Sequence, residues 1–168
     1  MFIRLGVRGD FAAIRLVELA ASETLRIAGA TSGPPAATSA KELQDYLDQD
    51  LLYVVCAEDG SVVGYCGGCV ADRFLHIGEV DVHPSWQRKG LGRRLLTTLI
   101  NHGRARNLDA ATLTTDRFAP FNAPFYTKLG FLPIEAEAAP RWLRETLEEE
   151  IARGLDPLRR VAMVLRFR

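Results

Sequence analysis

Residues 86–94 read WQRKGLGRR, with Arg88, Lys89, Arg93 and Arg94 set around Gly90 and Gly92. A β-rich run ends just before them at His83-Pro84. An apolar stripe at helical spacing follows: Leu91, Leu95, Leu96, Leu99 and Ile100. A strand, a tight loop and a helix start, in that order, make an anion site. The first turn of a helix carries backbone N–H groups without intrahelical partners, and its dipole favours negative charge. Glycine lets a ligand approach the backbone closely, and the cations add donors. These residues read as a cradle for phosphate or pyrophosphate formed by Gln87, Arg88, Lys89, Gly90, Leu91 and Gly92. It is not a nucleoside-triphosphate loop, which needs Gly-Lys-Ser/Thr. Nor is it a dinucleotide fingerprint, which needs three glycines and an acidic residue on the next strand. Taken alone, Gly-x-Gly also fits an ordinary glycine-started helix with surface arginines.

The run before the loop, LHIGEVDVH at 75–83, holds a second set of reactive types. Period two puts Glu79, Asp81 and His83 on one face and Val80 and Val82 on the other, unless a bulge disturbs the alternation. A third pattern, Cys66 and Cys69 in GYCGGCV, has redox or metal spacing. It opens no helix, however, and has no second ligand pair. Two strand residues three apart also face opposite ways. They read as small residues packed in a sheet, with no metal role.

Around these segments the chain alternates strands and helices. Residues 2–7 read as a strand, and Asp10 as the N-cap of an apolar helix to about Ala21. TSGPPAATSAK, 31–41, is a loop by composition, and Ser39 begins a second helix to about Asp48. Strands are expected at 51–57 and 62–70 around an Asp59-Gly60 turn, at 75–83, 109–115 and 131–134, and at 159–167. Short helical turns fit 120–129, closed by Gly130. The highly charged segment 141–153 reads as a solvated flap or partner surface. The 168 residues suit one mixed α/β domain. A formal net charge of zero argues against a nucleic-acid binder. No apolar run reaches membrane-spanning length, and none follows Arg4 as a signal peptide would. Three cysteines suit a reducing compartment. The expectation is a soluble, cytoplasmic protein.

VDVHPSWQRKGLGRRLL resembles the acetyl-coenzyme A motif of the GNAT superfamily of N-acetyltransferases, Gln/Arg-x-x-Gly-x-Gly/Ala. Gln87, Gly90 and Gly92 match it in order. NAPFYTKLGF resembles that superfamily's second signature, with Asn122, Tyr126, Gly130 and Phe131 in place. One helix and one strand separate the two signatures. The resemblance covers residues 51–134; beyond them it rests on element order.

The resemblance implies a single GNAT-like α/β domain over 1–168, with a mixed six- or seven-stranded sheet flanked by helices. The strands at 75–83 and 109–115 would start together and splay apart at a bulge. Acetyl-coenzyme A would be the cosubstrate, its pantetheine arm paired with the backbone of Val80 and Val82 and its pyrophosphate on 87–92. Asn122 would orient the coenzyme. The chemistry would be direct transfer of acetyl to a primary amine, which must be neutral to attack. Tyr126 would face the sulfur as acid or hydrogen-bond donor, and the Val82 N–H would serve the oxyanion. Glu79 would be the base, with His76 and Asp81 as alternatives. A small-molecule or peptide amine is the implied acceptor, with residues about 31–46 walling its pocket. The resemblance is compatible with a homodimer. It leaves open a degenerate acyl-coenzyme A sensor as an alternative.

Overall fold

A computed structural model describes residues 1–168. One seven-stranded sheet runs through it in the order β1-β2-β3-β4-β5-β7-β6. In chain order its strands are β1 (Phe2–Leu5), β2 (Leu52–Cys56), β3 (Val62–Ala71), β4 (Phe74–Val82), β5 (Ala110–Asp116), β6 (Leu132–Pro133) and β7 (Arg160–Arg166). The helices are α1 (Phe11–Ile27), α2 (Ala40–Asp48), α3 (Leu91–Ala105), α4 (Ala123–Thr127) and α5 (Arg141–Ala152). No helix is long and apolar enough to cross a membrane.

Neighbouring strands are antiparallel except β4 and β5, which run parallel. That one parallel pair is short. It holds only Phe74↔Ala110, Leu75↔Ala111 and His76↔Thr112. Beyond it β5 continues against β7 to Asp116, while β4 continues against β3 to Val82. The sheet is therefore split down its middle over half the length of β4.

A bulge accompanies the split. Gly67 on β3 pairs with Glu79, but its neighbour Gly68 pairs with Ile77, so Gly78 is the extra residue. The insertion reverses the alternation along β4. Leu75 and Ile77 face the core under α3, and after the bulge Val80 and Val82 do so. His76, Glu79 and Asp81 are left on the other side. Tyr46 of α2 lies across the bulge: a Cβ on Gly78 would collide with its hydroxyl oxygen, and one on Gly67 with its ring. Any side chain there would force the Tyr46 ring to move.

α3 fills the first face of the sheet. Leu91, Leu95, Leu96, Leu99 and Ile100 are buried against β2 to β5, joined by Phe131 and by Val161 and Met163 of β7. Each such side chain contributes roughly 1.5–3 kcal/mol of burial. α1 and α2 cover the second face through Ile14, Val17 and Leu43. α5 docks on that face too, burying Leu143 against Ala162 and setting Trp142 edge-on to His76 at 5.3 Å.

Several boundaries depart from the sequence reading for local reasons. Helix α1 runs to Ile27, two turns past Ala21, because nothing breaks it before Gly29; an Arg26–Glu23 pair at 2.6 Å closes its last turn. Asp10 does not cap α1 with its side chain. It accepts from the Val7 N–H at 2.8 Å and pairs with Arg4 at 2.7 Å, tying the end of β1 to the helix start. Segment 141–153 is not a solvated flap. Leu143, Trp142 and Leu147 form an apolar stripe on it, and Glu150 receives two hydrogen bonds from Arg160 of β7. β6 shrinks to Leu132–Pro133, an edge position that Pro tolerates.

Candidate active site

The N-terminus of α3 stands at the open end of the split. Gly90 caps it at φ +77, left-handed geometry that side-chain-bearing residues rarely adopt, and nothing lies within 4 Å of where its Cβ would be. The first intrahelical bond runs from the Arg94 N–H to the Gly90 carbonyl at 3.1 Å. The preceding N–H groups, of Leu91, Gly92 and Arg93, lie in the first turn, which offers them no helical acceptor. Arg88 and Lys89 are exposed beside them, with the Lys89 Nζ parked 4.6 Å from the centre of the Trp86 ring. The loop thus has the room, the donors and the charge for a pyrophosphate. Two of the residues assigned to it act differently. The Leu91 side chain is core, which leaves only its backbone to face a ligand. The Gln87 side chain donates to the Val82 carbonyl at 2.9 Å, tying the loop to the end of β4.

That bond also reports which way the strand backbone points. The His83 N–H donates to Val63 of β3 at 2.9 Å. Alternation along an antiparallel ladder then turns Asp81 toward β3 as well, and Val80 and Val82 toward the split. The Val82 carbonyl is held by Gln87, so its N–H is the donor left facing the gap.

Tyr126 closes the gap from the α3 side. Its ring packs edge-on against Phe125 at 5.3 Å and Phe131 at 5.9 Å. Burial, and then the nearby Asp81 and Glu79 carboxylates, push its phenol far above the ordinary range, so it stays a neutral donor. Asn122 is the N-cap residue of α4, and its carbonyl receives the Phe125 and Tyr126 N–H groups at 2.8 and 3.0 Å. Its side chain caps nothing.

Across the gap lies an acidic group. Carboxylate oxygens of Glu18, Glu79 and Asp81 all fall within 4.8 Å of one another. Burial and the neighbouring Asp81 hold the Glu79 carboxyl well above its usual range. Burial, then Glu18, raises Asp81 to about 7. Glu18 is 6% exposed and is raised by burial as well. One of its oxygens receives the Thr38 N–H at 2.8 Å and the Thr38 hydroxyl at 2.6 Å; the other, Oε2, is buried without a partner. The end of the loop before α2 is thereby fastened to the same group.

The sequence reading did not single out Glu18. Its signal is a carboxylate within the buried stripe Ile14, Val17, Glu18, Ala21 of α1, a place where an unpaired charge is costly. His76, one alternative base, is kept apart. It sits at the closed end of the split, its Nδ1 3.1 Å from the Thr112 hydroxyl, and burial lowers it to about 4. Cys66 lies in the core under α3, and Cys69 lies on the α2 side beside Tyr46. The two thiols face opposite ways and are free.

A sheet split along one parallel pair, with a glycine-capped helix at its mouth, is the architecture of the GNAT acetyltransferases. Residues 17–131 match the acetyltransferase (GNAT) family, and the chain belongs to it. It is 33% identical over 93 residues to IAA acetyltransferase of Azospirillum brasilense. That match covers 54% of this chain and 60% of the relative's length. Among solved structures, the N-acetylglutamate synthase of Neisseria gonorrhoeae, complexed with coenzyme A and N-acetyl-glutamate, superposes with a TM-score of 0.75 at 17% identity. This covers 99% of the present chain and 35% of that one. The PaiA N-acetyltransferase of Thermoplasma acidophilum, in complex with coenzyme A, gives 0.71 at 15% identity over 99% and 98% of the two chains.

Proposed function

We propose that this chain is an acetyl-coenzyme A-dependent N-acetyltransferase, one domain over 1–168, that moves acetyl directly to a primary amine. The observation that carries the reading is the split itself. It has a pyrophosphate cradle at its mouth, a phenol donor on one side and ionisable carboxylates on the other. In this reading residues 87–92 hold the pyrophosphate through backbone N–H groups and the Arg88 and Lys89 charges. The Val80 and Val82 backbone pairs with the pantetheine arm, and Asn122 orients it. The coenzyme supplies the activated acetyl thioester.

The residues then divide the work. A protonated amine gives one N–H proton to an oxygen of the Glu79–Asp81 pair. Like charge and burial keep that pair from being fully ionised at neutral pH, so it takes a proton readily. The neutral nitrogen attacks the carbonyl carbon while the Val82 N–H holds the developing oxyanion. As the carbon–sulfur bond breaks, Tyr126 gives its proton to the sulfur and regains one from the nitrogen, so that thiol and amide both leave neutral. The acceptor enters from the α1 and α2 side, walled by residues about 31–46, since Thr38 of that segment is bonded to Glu18.

Thiol release from acetyl-coenzyme A in the presence of primary amines tests this directly. Tyr126→Phe should lower turnover roughly 10- to 1000-fold with coenzyme affinity unchanged. No amine-dependent thiol release from the folded parent would end the proposal.

A further inference from the structure

We infer that Glu18, Glu79 and Asp81 form a binding site for an alkylammonium group, and that the acceptor is an aliphatic primary amine bearing no carboxylate beside its nitrogen. This rests on the transferase reading above and names its substrate class.

The spacing admits an ammonium. A primary ammonium directs three N–H donors tetrahedrally. With N···O distances near 2.8 Å, its three acceptors stand about 4.6 Å apart. The three carboxylates come from two elements, α1 and β4, and their oxygens lie within 4.8 Å of one another. The second observation is Glu18 Oε2. It is buried and unpartnered on a residue that is 6% exposed, with its sister oxygen already taken by Thr38. A buried carboxylate oxygen left without a donor is costly. A ligand with N–H groups at this point would satisfy it.

The surrounding charges decide against an amino-acid acceptor. Arg160 of β7 is the cation whose charge reaches Glu79, and it is committed. It donates to Glu150 at 2.9 Å and to the Thr114 hydroxyl at 3.1 Å. The other ionisable groups that bear on the three carboxylates are Glu42 of α2 and Glu150 of α5, both acidic. The phenols of Tyr46 of α2, Tyr65 of β3 and Tyr126 of α4 are all held neutral by burial, and the Tyr65 hydroxyl, 3.3 Å from that of Thr38, helps to hold the Thr38-bonded end of the Glu18 carboxylate. A carboxylate on the carbon that bears the amine would thus meet three others, and Arg160, the cation that acts on them, is already paired.

The pair n-pentylamine and norleucine isolates the point, because they differ only in the carboxylate. Calorimetric titration into the coenzyme A-loaded protein should show pentylamine binding at least tenfold tighter. Its affinity should rise as pH increases from 5 to 7, as the ammonium displaces protons from the carboxylates. Glu18→Gln keeps an acceptor for Thr38 but should weaken pentylamine at least tenfold and norleucine much less. Coenzyme A affinity in that variant checks its fold. Thr38→Val, which spares the carboxylate, should keep the preference. Equal or tighter binding of norleucine, no measurable binding of pentylamine, or an unchanged pentylamine affinity in Glu18→Gln would overturn the inference. Failure of coenzyme A to bind the parent would instead strike the transferase reading, and amine titration of the free protein would still decide this one.

Discussion

The two sides of the split are built in opposite ways. The coenzyme side is one contiguous loop, open and cationic, whose donors are backbone groups made available by a helix start. The acidic side is assembled from α1 and β4, some sixty residues apart in the chain, with Glu18 buried and Glu79 and Asp81 partly open to solvent. A contiguous site depends on local backbone geometry, so a single residue can ruin it. A dispersed site depends on packing between elements, so its parts titrate and couple.

Breaking the contiguous side should have the larger effect. Gly90→Asp places a side chain in left-handed geometry and a negative charge at the proposed pyrophosphate cradle. Acetyl-coenzyme A affinity, read by calorimetry, should fall by roughly 100-fold or more. An unchanged affinity in the folded variant would remove the cradle. On the dispersed side the effect is a displaced titration. With Asp81 near 7, kcat/KM should fall below about pH 7 as the base is protonated. Asp81→Asn removes the group that titrates near 7 and relieves the repulsion on Glu79, so that acid limb should leave its place, with an overall loss of about tenfold. A limb that stays in place would take these two carboxylates out of the proton transfer. The smallest effect sharpens the contrast. Hydrogen exchange over residues 31–46 should slow severalfold when an amine joins the coenzyme complex, and much less with coenzyme alone. Exchange that ignores the amine would move the acceptor pocket away from this segment.

The same contrast explains what could be seen in the sequence. Gly90, Gly92, Gln87, Asn122 and Tyr126 lie in short stretches whose spacing is set by one loop or one turn, so the residue order reveals them. The split could be expected at β4, but its register could not: a bulge at Gly78 is a matter of pairing with Gly67 and Gly68 across a turn. Glu18 was hidden because an acidic residue on a helix reads as solvated until the helix is placed on the sheet. The charge of segment 141–153 concealed Trp142, Leu143 and Leu147 for the converse reason, since three apolar residues suffice to seat a helix among many charged ones. Asp10 had two backbone ends within reach, and only the path of β1 shows which one it holds.

Gly78 behaves like an edge dislocation in a crystal, one added row that ends inside the lattice. Ahead of it, odd-numbered residues of β4 point to the α3 core, as Leu75 and Ile77 do; behind it, even-numbered ones do, as Val80 and Val82 do. Were Gly78 an ordinary paired residue rather than a bulge, Glu79 and Asp81 would continue the odd series into an apolar core, and Val80 and Val82 would line the acidic cleft. The same insertion stands where β4 leaves β5. One dislocation therefore sets the origin of the crevice and the polarity of its walls together. Deleting Gly78 would separate the two: plain alternation would still turn Glu79 and Asp81 away from the core, but the bulge where β4 leaves β5 would be gone.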